Sequence, residues 1–170
     1  MEPEIQNIPD QPEGWRSWLG LAGFVTLVAT VSAVGGVVTA GSVHTWYQTL
    51  TRPSFTPPDW VFAPVWTMLY VMIAISGWLV WKKVGFRSAK SAFMAYGAQL
   101  ALNLAWSVLF FGLHQIGFAM VDVVLLLAAI VVNVRTFRPI NRTAALLLVL
   151  YAVWVAFASL LNLGFLLLNS

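Results

Sequence analysis

Five long apolar stretches separated by short polar breaks organise this chain: about Trp18 to Ala40, Phe62 to Trp81, Ser91 to Phe111, Gly117 to Val134 and Thr143 to Leu168. Each is long enough to cross a hydrocarbon layer as a helix, which takes about 20 residues. The first holds no charged residue. The pattern predicts an all-α integral membrane bundle of five transmembrane helices. The breaks are brief except the first, His44 to Val61. The link from Gly112 to Ile116 is short enough to make the third and fourth spans antiparallel neighbours. No internal repeat is visible, and five spans do not divide into a simple two-fold inverted repeat. The usual secondary-transporter architecture is therefore disfavoured.

Composition supports the membrane reading. Of 170 residues, 60% are hydrophobic and 9% charged, against about 25% charged in soluble domains. Such a chain cannot cover a water-facing surface. The net charge of +3 does not imply nucleic acid, because the basic residues cluster at the ends of the spans. Arg16, Lys82, Lys83, Arg87, Lys90, Arg135, Arg138 and Arg142 fall on one side, and Arg52 alone on the other. The positive-inside rule puts the N-terminus in the cytoplasm, and the C-terminus with the first and third loops on the opposite side. Which membrane holds the protein stays open. Residues 1–17, with Glu2, Glu4, Asp10 and Glu13, read as a mobile polar tail, and residues 18–170 as one membrane domain. There is no cysteine, so disulfide, zinc-thiolate and cysteine-nucleophile chemistry are excluded.

Polar groups inside the spans are few. Asp122 is the single charge well within one, near the start of its helix, where the helix dipole favours an anion. It reads either as a functional carboxylate or as a structural one at the interface. Gln99, Asn103, Asn133 and Asn162 are expected to face protein and to serve mainly as interhelical glue. The large aromatics recur at helical spacing: Trp66 and Tyr70 in the second span; Asn103, Trp106 and Phe110 in the third; Trp154, Ala158 and Asn162 in the fifth, beside Tyr151. Two readings stand for these stripes. They are ordinary packing with interface belts, or they line a pocket opening towards the first loop, with Ala158 leaving room beside a tryptophan. Gly97, Ala101 and Ala105 step by four and form a ridge suited to a helix dimer, with Ser32, Gly36 and Ala40 a competing ridge on the first span.

The run Pro57-Pro58-Asp59-Trp60-Val61-Phe62-Ala63-Pro64-Val65-Trp66 leads into the second span. Its prolines fix the backbone and its aromatics offer flat faces, suiting a membrane interface or a flat apolar ligand. The chain has no HExxH, Walker loop or serine-histidine-acid set. His44 and His114 lie in or near loops, so no pair sits mid-membrane to clamp a haem iron, and no metal site is expected. Voltage-sensor and selectivity-filter patterns are also missing.

Trp46-Tyr47, Arg52-Pro53-Ser54-Phe55, Pro57-Pro58 through Trp66 and Tyr70, Leu102 to Trp106, Phe110 to His114, Val121-Asp122 and Tyr151 to Ala158 occur in this order along the chain. Together they resemble the translocator protein (TspO) family, also called tryptophan-rich sensory proteins or peripheral benzodiazepine receptors, over about Leu19 to Asn169. The resemblance implies a five-helix bundle, often a homodimer, with a pocket under the first loop for porphyrins and for isoquinoline carboxamide or benzodiazepine ligands. By position it implies that Tyr47 and Pro57 close the pocket from the loop. Trp66, Tyr70, Asn103, Trp106, Trp154 and Ala158 would line it. Trp66 and Trp154 match tryptophans that support light- and oxygen-dependent breakdown of protoporphyrin in some bacterial members, and would be catalytic only if that reaction occurs here. The sterol pattern of animal members is not matched after Tyr151, which lacks a following Lys or Arg; Lys90, Tyr96 and Leu100 fit the reversed pattern.

The expectation is a membrane protein that binds a tetrapyrrole, protoporphyrin IX or haem, for sensing, transport or scavenging. It needs no obligatory cofactor, contacts lipid and forms a homodimer. The alternatives are a porphyrin-degrading enzyme, and a lipid- or sterol-binding or regulatory membrane partner.

Overall fold

The computed structural model describes residues 14–169. Most of the polar tail, residues 1–13, lies outside the described residues. Helix α1 is Gly14–Val43, α2 is the short Trp46–Thr49, α3 is Phe62–Ser88, α4 is Lys90–Ser107, α5 is Ile116–Phe137 and α6 is Arg142–Leu168. A 3-10 turn, Asp59–Val61, leads into α3, and a π-helical turn, Val108–Gly112, extends α4. Five helices are long and apolar enough to cross a membrane. Their outer surface is apolar, with Val37, Phe118 and Leu167 among the large hydrophobic side chains left exposed. That is the surface of a multi-pass integral membrane protein.

The helices run past the predicted span limits. α1 begins at Gly14, so residues 14–17 belong to the helix and not to a tail. The reason is an interfacial turn: exposed Trp15 and Trp18 flank Arg16, and the Ser17 carbonyl accepts from Trp78 Nε1 at 2.9 Å. α3 continues beyond Trp81 as a basic turn, kinked at Gly85, whose φ of 69° is open to glycine without strain.

The five spans form a closed ring in the spatial order α1, α3, α6, α5, α4. The expected antiparallel α4–α5 pair is present, and Asn133 Nδ2 reaches the Ala92 carbonyl across it at 3.1 Å. All eight basic residues of the cytoplasmic expectation lie at one end of the ring, here called the basic end; the first loop closes the other, the loop end.

At the basic end the ring is solid. Phe24 meets Tyr96 edge-on at 5.8 Å, and Tyr96 stacks on Phe137 at 6.0 Å. Gly77 is required there, because a Cβ would come within 2.7 Å of the Phe24 ring. Tyr96 is buried and donates to the Ile73 carbonyl, and Leu100 is buried too. Two of the three residues of the reversed sterol pattern thus face the core and not lipid. Interhelical hydrogen bonds are worth only about 0.6 kcal/mol each in membranes, so this aromatic packing carries most of the cohesion.

Candidate ligand-binding site

At the loop end the ring parts around a cavity of about 470 Å³. α3 contributes Trp66 and Tyr70, whose rings lie 5.6 Å apart. They face the cavity together because they are one helical turn apart. α6 adds Trp154, Ala158, Asn162 and Phe165, and α4 adds Trp106 and Ser107. The π turn brings Phe110 and Phe111 to the wall together. Widened turns of this kind recur at functional sites because they re-aim side chains without ending the helix.

Hydrogen bonds behind the wall hold these rings. Tyr70 Oη donates to Asn103 Oδ1 at 2.8 Å, and Asn103 Nδ2 donates to Tyr151 Oη at 2.9 Å. Trp106 Nε1 donates to Asn162 Oδ1 at 3.1 Å, and Asn162 Nδ2 in turn donates to the Ile116 carbonyl. The Trp106 ring stacks on Phe110 at 5.3 Å. Trp154 lies edge-on to Phe62, and its buried Nε1 has no partner among the described residues. A buried donor left unmatched is uncommon and is a ready contact for a ligand acceptor.

The first loop is fastened over the cavity. Arg52 pairs with Asp59 at 2.8 Å and donates to Gln48, while its guanidinium lies 4.6 Å from the Tyr47 ring centre. Burial pushes the Tyr47 phenol above its ordinary pKa, and the Arg52 charge offsets part of that rise. Thr51 and Asn169 exchange two hydrogen bonds, at 2.8 and 3.0 Å, which tie the loop to the end of α6. Trp46 stacks on His114 at 4.1 Å, and His114 Nε2 lies 3.0 Å from Ser42 Oγ. His114 is thereby a loop fastener, while His44 is exposed.

Of the expected site residues, Tyr47, Trp66, Tyr70, Trp106, Trp154 and Ala158 line one cavity. Two do not. Asn103 is buried behind Tyr70 and touches the site only through the two tyrosines. Pro57 lies two residues before the 3-10 helix, off the wall, and Asp59 and Phe62 line the cavity instead. Sequence reasoning missed the α1 wall. Ser32, Gly36 and Ala40, read as a helix-packing ridge, line the cavity. Gly97 and Ala101 of the other ridge are exposed on the lipid face, and Ala105 is half-buried. All four span amides are buried; Asn103, Asn133 and Asn162 bond across helices, but both polar atoms of Gln99 lack partners among the described residues. Asp122 is also buried, off the cavity wall, with Oδ2 unmatched among the described residues.

Comparison with known proteins shows the family to which the chain belongs. The TspO/MBR family profile matches residues 24–168. The tryptophan-rich protein TspO of Archaeoglobus fulgidus is 38% identical over 152 residues, covering 89% of this chain and 98% of the relative. That of Chlorobaculum tepidum is 39% identical over 155 residues, covering 89% and 96%. The human translocator protein is 37% identical over 147 residues, covering 85% and 87%. On these matches, and with five membrane helices ringed as described, the chain belongs to the TspO/MBR family.

Proposed function

We propose that this protein binds a flat, largely apolar tetrapyrrole in the loop-end cavity, and that it senses, carries or scavenges porphyrin. The observation that carries the reading is the convergence of Trp66, Trp106 and Trp154 from three helices on one space of about 470 Å³. That volume lies within the ~300–1,000 Å³ of small-molecule sites. Aromatic faces lose little entropy on binding and stack on a macrocycle. Among the described residues Asp59 is the one carboxyl on the wall and is already paired with Arg52, so a mainly apolar body fits. Titration with protoporphyrin IX in the dark, followed by tryptophan quenching, tests this: saturable quenching supports it, and none in folded protein refutes it.

A second reading, light- and oxygen-dependent porphyrin degradation, is favoured by the presence of both Trp66 and Trp154 on the wall, since tryptophan is oxidisable. It predicts loss of porphyrin absorbance on illumination in air, abolished in the Trp66→Phe/Trp154→Phe variant. We also place a second copy of the chain against the exposed Gly97 and Ala101, where small residues let helices approach closely. The distribution of Lys and Arg supports a cytoplasmic basic end.

A further inference from the structure

α1 changes partner along its length. Its basic-end half packs on α3, through Ser17 with Trp78, Gly20 with Trp81 and Phe24 with Gly77. Its loop-end half turns to α4 and the π turn. A Cβ on Gly35 would stand 3.4 Å from Ser107 Oγ, Val38 lies against Gly112, and Ser42 Oγ donates to the Phe111 carbonyl at 2.6 Å. Between α1 and α3 at this level the packing is missing. Gly36 has nothing within 4 Å of its Cβ position. Gly36 and Ala40 on α1 and Ala63 and Thr67 on α3 all line the cavity, and all four are exposed. Overhead, by contrast, the loop is held by the Arg52–Asp59 pair, the Thr51–Asn169 bonds and the Trp46–His114 stack.

We infer that the cavity opens sideways between the loop-end halves of α1 and α3, and that its ligand comes and goes through the bilayer and not over the first loop. The inference rests on the binding function proposed above and adds the route and the ligand class. The ligand is an amphipathic, planar molecule that first partitions into lipid. Small side chains at Gly36, Ala40 and Ala63 leave the gap sterically open. Asp59 and Arg52 sit at the loop end, where the polar edge of such a molecule would remain near water. Lipid concentrates an apolar ligand and pre-orients it, which favours this route over unfastening a loop held by several bonds.

The absence of cysteine makes the test direct. Val37→Cys and Trp60→Cys variants in phosphatidylcholine vesicles are each capped with a benzyl methanethiosulfonate, which reductant removes; Val37 is exposed beside Gly36 and does not line the cavity. Association and dissociation of protoporphyrin IX are followed by tryptophan quenching before and after capping. Capping Val37→Cys is expected to slow both rates by roughly tenfold or more with Kd held within about twofold, because a blocked route alters both rates alike. Capping Trp60→Cys, on the exposed loop-end turn, is expected to change neither. Slowing at Trp60→Cys equal to or greater than that at Val37→Cys overturns the inference. So does an effect at Val37→Cys carried by affinity alone, or no effect there. If uncapped protein shows no saturable binding, the binding function itself fails, a result distinct from unaltered rates.

Discussion

Tyr70 donates its phenolic hydrogen to Asn103 Oδ1 at 2.8 Å, so a residue on the cavity wall is aimed by one that never reaches the cavity. The same amide accepts one tyrosine and donates to another, joining α3, α4 and α6 below the floor of the site. Removing it leaves the buried Tyr151 phenol and the half-buried Tyr70 phenol unmatched. Asn103→Ala is expected to destabilise the fold by about 1–3 kcal/mol. Tyr70→Phe, which removes one bond and keeps the ring, is expected to cost less. Thermal unfolding of both variants in detergent checks the ranking; equal stability would mean that the network holds nothing.

The loop clasp should act locally. Arg52 and Asp59 are both partly exposed, and such pairs add about 0–1 kcal/mol. Arg52→Ala is expected to leave the melting midpoint nearly unchanged. Hydrogen exchange across residues 44–61 is expected to rise, because Gln48, Asp59 and the Tyr47 ring all lose the same guanidinium. Unaltered exchange would show that the Thr51–Asn169 and Trp46–His114 contacts hold the loop without it.

Hydropathy made the five spans legible, because lipid demands backbone satisfied within each segment over about 20 residues. The cavity was only partly legible. Spacing shows that Ser32, Gly36 and Ala40 share a face, but small residues suit a close helix contact and an open wall equally well. Position by position, family resemblance also could not tell a wall residue from one behind the wall: Asn103 and Tyr70 are neighbours in space, yet only Tyr70 lines the cavity. The lateral gap depends on α1 switching partners, a feature of the whole ring that no local pattern encodes.

Asp122 is buried in the bundle, off the cavity wall, with Oδ2 unmatched among the described residues. An unsatisfied buried group costs about 1–3 kcal/mol. Asp122→Leu, which removes both oxygens at similar size, is expected to raise the melting midpoint by about 2–6 °C and to leave porphyrin affinity alone. A stable variant that no longer binds porphyrin would give the carboxylate a functional role that its position off the wall does not suggest.

Self-association should depend on the lipid-facing ridge. Gly97 is exposed, and a Cβ there would meet no atom within 4 Å. Gly97→Leu is therefore expected to leave the monomer folded and to shift the detergent-solubilised protein from dimer towards monomer in sedimentation analysis. An unchanged dimer would place the contact on another face.

The most direct test of the cavity as the ligand site is the affinity of Ala158→Leu for protoporphyrin IX. The larger side chain takes up space on the α6 wall of the cavity that Trp66 and Trp154 also line, and Ala158 makes none of the side-chain hydrogen bonds behind the wall. The account predicts a folded protein whose dark quenching titration shows a Kd raised by roughly tenfold or more, as overpacking by 1–3 kcal/mol would give. A folded Ala158→Leu protein that binds porphyrin as tightly as the parent would contradict it.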